Sequence, residues 1–242
     1  MRLNRFLARA GVASRRKSDE LILGGTVRVN GEIVAEPGRT VVIGEDRVEV
    51  GGRQVWLPEG FEYLLLHKQR GCLVTRRDTH GRPTVFDQID PLRPGTVAVG
   101  RLDQDTTGVL LLTDDGELAF RLLHPSRQVE KRYEALVEGK PDATDLLALR
   151  QGVELEEGPT APAQVRLRGA DEREARLEIC IHEGRKRQVR RMCAAVGHPV
   201  KRLKRVTFAG LGLGRLKPGQ WRRLTPGEVR TLRIRAGLDT QR

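Results

Sequence analysis

Only three cysteines occur in 242 residues, Cys72, Cys180 and Cys193. The odd count and the absence of CxxC spacing exclude a disulfide framework and a zinc site, and fit a reducing cytoplasm. The five histidines are scattered, so no metal is expected and no paired Cys/His set exists for a zinc deaminase. No apolar run approaches the ~20 residues that cross a bilayer, so no membrane partner is expected. There is no Walker A pattern, which argues against nucleotide hydrolysis. Gly210-Leu211-Gly212-Leu213-Gly214 has the glycines of a nucleotide-binding loop. Lys217-Pro218-Gly219 follows where a helix should run, so the segment reads as strand or turn and argues against a methyltransferase. Acids are in the minority, 32 against 44 lysines and arginines, for a net charge of +12. A positive balance of that size bears on partners rather than fold and favours a polyanion, nucleic acid being the commonest.

What is present is a globular composition, 38% hydrophobic and 31% charged, with the positive charge clustered. Leu3, Phe6, Leu7 and Ala10 fall on one face of a short helix over residues 2–10, and Arg2, Arg5 and Arg9 on the other. Gly11 suits its C-cap. Ser14 N-caps a second helix that opens Arg15-Arg16-Lys17, runs to about Leu23 and stops at Gly24-Gly25. Asn30-Gly31 between β-favouring residues predicts a tight hairpin, and residues 41–50 add more strand. Six cations precede the first acid, Asp19. A merely solvated face would mix both signs, so residues 1–50 read as a helix-helix-hairpin RNA-facing unit. Residues 51–60 read as a linker.

A larger domain over 61–232 follows. Strands are predicted at Tyr63–Leu66, Val97–Val99, Val109–Leu112, Tyr133–Val137, Val165–Leu167 and Leu177–Ile181. Helices are predicted at Glu117–Leu123, Ala143–Gln151 and Gln188–Val196. Without steady βα alternation the fold class is α+β, the larger domain a mainly antiparallel mixed sheet with flanking helices. Residues 233–242 read as a basic, disordered tail.

Chemistry concentrates in three places. Gly100 to Gly108 forms a loop between two apolar strands, with Arg101, Asp103, Asp105, Thr106 and Thr107. Local chemistry does not choose between the two carboxylates or separate a site from a polar turn. His182 to Arg205 holds nine cations and the single acid Glu183, +8 of the chain's +12. There Val189, Met192, Cys193 and Val196 repeat at helical spacing toward a core, which turns arginines outward as a phosphate-binding device. Lys131-Arg132-Tyr133 leads into a strand with one of only two tyrosines. Such an aromatic either stacks on an extruded base or merely packs on the sheet.

These motifs together resemble the bacterial ribosomal-RNA pseudouridine synthases of the RsuA/RluB type, over nearly the whole chain. Residues 1–50 resemble the small RNA-binding module shared with ribosomal protein S-four. Gly-Arg-Leu-Asp-Gln-Asp-Thr-Thr-Gly-Val-Leu-Leu-Leu-Thr is similar to the family's catalytic motif, with Thr107 where many relatives have serine. Glu-Lys-Arg-Tyr at 130–133 and the basic run from Glu183 to Met192 match two later motifs.

The resemblance implies isomerisation of uridine to pseudouridine in ribosomal RNA by a cytoplasmic monomer that needs no cofactor. It selects Asp103 as the carboxylate that starts glycosidic cleavage, as nucleophile or base. It implies that Tyr133 packs on the flipped base, where it could take part in removing the C5 proton, that Arg190 pairs with Asp103, and that Arg101 fills the gap in the RNA stack or binds a neighbouring phosphate. Arg185, Lys186, Arg187 and Arg191 join the basic face of the first module as RNA contacts. The stretch His124-Pro125-Ser126-Arg127 looks more like the large-subunit enzymes. The alternative is a non-catalytic, rRNA-binding ribosome assembly factor on the same fold, which would not need Asp103, Tyr133 and Arg190 together.

Overall fold

A computed structural model describes residues 1–76 and 78–239. The chain divides into two compact units. One comprises residues 1–62 with 91–97 and 113–115; the other comprises residues 63–90, 98–112 and the chain from Gly116 onward.

The first unit opens with α1 (Leu3–Arg9) and α2 (Arg15–Leu23). The Ser14 hydroxyl accepts the Lys17 amide, as an N-cap should. A four-stranded sheet follows, β1 (Val27–Val29), β2 (Glu32–Ile33), β3 (Val48–Val50) and β4 (Arg53–Gln54), in the order β2-β1-β3-β4. Asn30 (φ 54°) and Gly31 (φ 86°) form the hairpin turn the sequence predicted. Leu3, Phe6, Leu7, Ile22, Val27 and Val29 fill its core, so the apolar face of α1 is buried as its spacing required.

The second unit is built on one sheet. Its strands are β5 (Tyr63–Lys68), β6 (Val97–Ala98), β7 (Thr106–Thr113), β8 (Lys131–Glu138), β11 (Gln164–Ala170) and β12 (Glu174–Ile181), followed by β13 (Val200–Phe208), β14 (Leu211–Gly212) and β15 (Trp221–Arg223). A small separate hairpin is formed by β9 (Glu154–Leu155) and β10 (Gly158–Pro159). The main order is β11-β12-β8-β13-β7-β5-β15. Most pairs are antiparallel, and β13 pairs parallel to β7, which gives the expected mixed sheet. Its helices are α3 (Gly116–Leu123), α4 (Ala143–Gln151), α5 (Gln188–Ala195) and α6 (Pro226–Arg235). No helix among the described residues is long and apolar enough to cross a membrane.

Strand side chains alternate between faces. On one face Tyr133, Ala135, Leu177, Ile179 and Leu203 pack with Leu149 of α4 and Val189, Met192 and Cys193 of α5. Val109 and Leu111 of β7 belong instead to a second cluster with α3 and α6. All three cysteines are buried and free, and burial pushes the Cys193 thiol up to about 12.

Two local expectations need correction. β13 was not expected as a strand, yet it lies in mid-sheet between β7 and β8. Its period of two is interrupted by register shifts between Val200 and Arg202 and between Arg205 and Thr207. The tail expected from residue 233 begins as the last turn of α6. The Thr225–Glu228 capping box starts that helix, and Arg233 pairs with Asp239 at 2.8 Å. Residues 240–242 of that tail lie outside the described residues.

Candidate active site

The loop between β6 and β7 is shaped by backbone demands before side-chain chemistry enters. Val99 N–H donates to Leu111 C=O at 2.8 Å, holding the incoming strand on β7. The chain turns at Gly100, and Thr106 N–H closes the loop onto Asp103 C=O at 3.0 Å. Gly108 is required: a Cβ there would lie 2.1 Å from the Arg205 carbonyl oxygen, and its φ of +118° suits glycine alone. That close approach fixes the loop against β13.

Lys68, fully buried at the end of β5, ties the loop down from beneath. Its ammonium donates to the carbonyls of Thr106 (2.8 Å), Asp103 (3.0 Å), Gln69 (3.2 Å) and Gln104 (3.3 Å). Burial pulls its pKa down to about 8, against the pull of Asp105 and Asp103 in the other direction. Sequence reasoning missed Lys68. The available signal was a lysine closing the continuous apolar run of a central strand, where a cation must find acceptors.

The two carboxylates have different surroundings. Asp105 takes Arg187 through both oxygens, at 3.2 and 3.4 Å, and Arg190 at 3.1 Å. Partial burial opposes ionisation of Asp105, but these two arginines outweigh it and hold its carboxyl below the ordinary value. Among the described residues Asp103 pairs only with the Arg187 guanidinium, at 3.9 Å, and its side chain is 31% exposed, close to the 33% of Asp105. The pairing expected between Arg190 and Asp103 is therefore corrected. Arg190 is tied by Nη1 to Val200 C=O at 3.0 Å and by Nη2 to the Asp105 backbone and carboxylate, which leaves it committed to Asp105. Arg187 reaches both acids from a left-handed backbone (φ 50°) at the start of α5, an uncommon conformation for a side-chain-bearing residue.

Tyr133, 8% exposed on β8, shares one apolar cluster with Leu102, Leu203 and Val189. Leu102 directly precedes Asp103, so tyrosine and carboxylate are joined through the same core. The arrangement offers an open carboxylate on a rigidly held loop. Its neighbour acid is neutralised by two cations, and Leu102, the residue before Asp103, lies in the same apolar cluster as Tyr133.

The remaining residues singled out by sequence are divided by the structure. Arg101 is exposed beside Asp103. Lys186 is exposed, whereas Arg185 donates to Gly158 C=O at 2.6 Å and Arg191 pairs with Glu157 at 2.6 Å, so both brace the β9–β10 hairpin. In the first unit Arg2, Arg15 and Arg16 are exposed, Lys17 pairs with Glu20 at 3.0 Å, and Arg5 is half-buried. Arg9 donates to the carbonyls of Pro58 (3.1 Å) and Gly60 (2.6 Å) and stacks on Phe61 at 4.1 Å, so its guanidinium holds the following segment rather than facing outward.

Comparison with known proteins matches residues 62–195 to the RNA pseudouridylate synthase family model and residues 1–48 to the S4 domain. The chain belongs to the RNA pseudouridylate synthase family. A ribosomal large subunit pseudouridine synthase B from Bacillus subtilis is 46% identical over 237 residues, covering 97% of this chain and 96% of that protein. An uncharacterized RNA pseudouridine synthase from Aquifex aeolicus is 46% identical over 98% of this chain and 96% of its own length. A crystal structure of a pseudouridylate synthase superposes with a TM-score of 0.68 at 32% identity, covering 96% of this chain and 99% of that one. The fold and catalytic family expected from the motifs are thus the observed ones.

Proposed function

We propose that this enzyme isomerises a specific uridine of ribosomal RNA, in the large subunit, to pseudouridine in the cytoplasm, with Asp103 as the residue that starts the reaction. The single observation that carries the assignment of Asp103 is the asymmetry of the two acids. Asp105 is ion-paired with Arg187 at 3.2 Å and Arg190 at 3.1 Å, while Asp103 has, among the described residues, only Arg187 at 3.9 Å. Family membership supports the reaction, and the large-subunit name of the Bacillus relative supports the choice of RNA.

In the reaction the C1′–N1 bond breaks, the uracil rotates, and a C1′–C5 bond forms. The proton lost from C5 balances the one gained at N1. Asp103, as nucleophile at C1′ or as base, begins the cleavage. The Arg187 guanidinium lies 3.9 Å from the Asp103 carboxylate. Tyr133 packs against the rotating base, Arg190 holds the loop through Asp105, and Arg101 enters the gap left in the RNA. Extruding a uridine costs a few kcal/mol. Phosphate contacts from residues 1–50, through Arg2, Arg15, Arg16 and Lys17, and from Lys186 offset that cost.

The test is to map pseudouridines across ribosomal RNA from cells lacking this protein. One position in large-subunit RNA should revert to uridine and be restored by the parent gene. A complete, unchanged map would refute the reading.

A further inference from the structure

The sequence groups Lys201, Arg202, Lys204 and Arg205 with the arginines of the preceding helix, but the fold separates them. Arg205 turns inward, donating to Val109 C=O at 2.9 Å. Arg202 and Lys204 turn to the sheet face opposite Tyr133. Register fixes this: Lys204 lies beside Glu134 and Thr107, and Arg202 beside Leu136, which in turn lies beside Arg176. α4 and α5 pack against the other face. The face with Arg202 and Lys204 forms an open trough of about 750 Å³, bounded at one end by Asp105 and Thr107 of the catalytic loop.

The charge of this trough is unbalanced. Six cations line it against three acids. Arg168 is paired with Glu178 at 2.7 Å and Lys201 with Glu174 at 3.7 Å. Arg70, Arg176, Arg202 and Lys204 take no ion pair among the described residues. An ordinary solvated sheet face pairs its signs across strands; this one leaves only Glu134, opposite Lys204, to answer four cations. Arg202 and Lys204, two residues apart on one strand, stand roughly 6.7 Å from each other, a spacing comparable with successive phosphates of an extended nucleic-acid strand.

We propose that this open sheet face is a second RNA-docking surface, which holds the phosphates of the substrate strand flanking the target after it leaves the Asp103 loop. The inference rests on the reading of the enzyme as an RNA pseudouridine synthase and adds a surface that its catalytic motifs do not include. Glu134, the acid beside Lys204, sets an upper limit on phosphate affinity there.

The test uses the full chain and a transcript of the target region with long flanks. Affinity is measured by fluorescence anisotropy from 50 to 200 mM salt, and pseudouridine formation is read in the same samples. Each phosphate-neutralising cation contributes roughly 0.7 to the salt slope on a single strand. The combined variant Arg176→Gln, Arg202→Gln, Lys204→Gln should therefore lose about 2 from the slope and bind on the order of tenfold more weakly at low salt. Its turnover at saturating RNA should stay within twofold of the parent. Glu134→Gln should bind more tightly than the parent, a gain that structural damage cannot produce. An unchanged slope in a folded triple variant overturns the proposal, as does selective weakening toward an acidic protein but not RNA. If the triple variant fails to fold, Glu134→Gln decides: tighter binding supports the surface and unchanged binding overturns it. A parent that binds RNA but forms no pseudouridine would instead defeat the underlying functional reading.

Discussion

Replacing Lys68 with methionine isolates the contribution of the buried ammonium to the catalytic loop. The substitution keeps length and apolar volume but removes every donor from a cage of four carbonyls, two of them at 2.8 and 3.0 Å. A hydrogen bond from a charged group contributes about 1.5–3 kcal/mol, and a buried acceptor left unmade costs about 1–3 kcal/mol. Relief of the buried charge and packing of the methionine stem offset part of that, leaving a net loss of about 3 kcal/mol. For a protein of this size this lowers Tm by roughly 6–12 °C. The Thr106 amide, whose bond to Asp103 closes the loop, should exchange faster with deuterated solvent. Turnover should fall on the order of tenfold, because the position of Asp103 is set by this cage, while RNA affinity stays within threefold.

The sign of the pH dependence follows from where the proton sits. The native lysine releases it near pH 8, whereas the unfolded chain holds it to 10.5. Between those values the unfolded state binds more protons, so the parent gains stability with rising pH. Its advantage over Lys68→Met therefore widens from pH 8 toward 10.5. A Tm within about 2 °C of the parent, with unchanged exchange at Thr106, would refute the idea that Lys68 secures the loop.

Other substitutions probe neighbouring parts of the account. Gly108→Ala brings a Cβ within 2.1 Å of the Arg205 carbonyl, so thermal melts should show a loss of about 3 kcal/mol or more, or no soluble protein. Arg190→Met removes a mostly buried guanidinium bonded to Val200 and Asp105, and should cost about 1–3 kcal/mol in a denaturant titration. Arg187→Gln, at a 44% exposed side chain, should change stability by about 0.5 kcal/mol or less while lowering turnover. Deleting residues 1–50 should weaken ribosomal RNA binding and flatten its salt dependence; an unaltered slope would show that these residues are not an RNA anchor.

Much of the fold was legible because its signals are local. Asn30-Gly31 demanded a hairpin, Ser14 started α2, and Val189, Met192 and Cys193 faced the core at helical spacing. What escaped depended on non-local structure. Strand β13 hid behind its lysines and arginines, and its two register shifts erased the alternation that marks a strand. Those same shifts and the sheet pairing decide that Arg205 is core while Arg202 and Lys204 are surface, so a cluster continuous in sequence is not one patch in space. The choice between Asp103 and Asp105 was likewise invisible locally. Their different surroundings depend on the start of α5, more than 80 residues later, which brings Arg190 to Asp105 and sets Arg187 closer to Asp105 than to Asp103. The α6 capping box, Thr225 to Glu228, was readable in the sequence and was overlooked beside the basic residues that follow.

The most direct trial of the central claim is pseudouridine formation by Asp103→Asn on a transcript of the target site, beside Asp105→Asn and the parent. The amide keeps the size of the side chain but supplies neither nucleophile nor base. Asp103→Asn should yield no pseudouridine while binding RNA within a few-fold of the parent, and Asp105→Asn should retain measurable turnover. Full activity in Asp103→Asn, or loss confined to Asp105→Asn, would contradict the account.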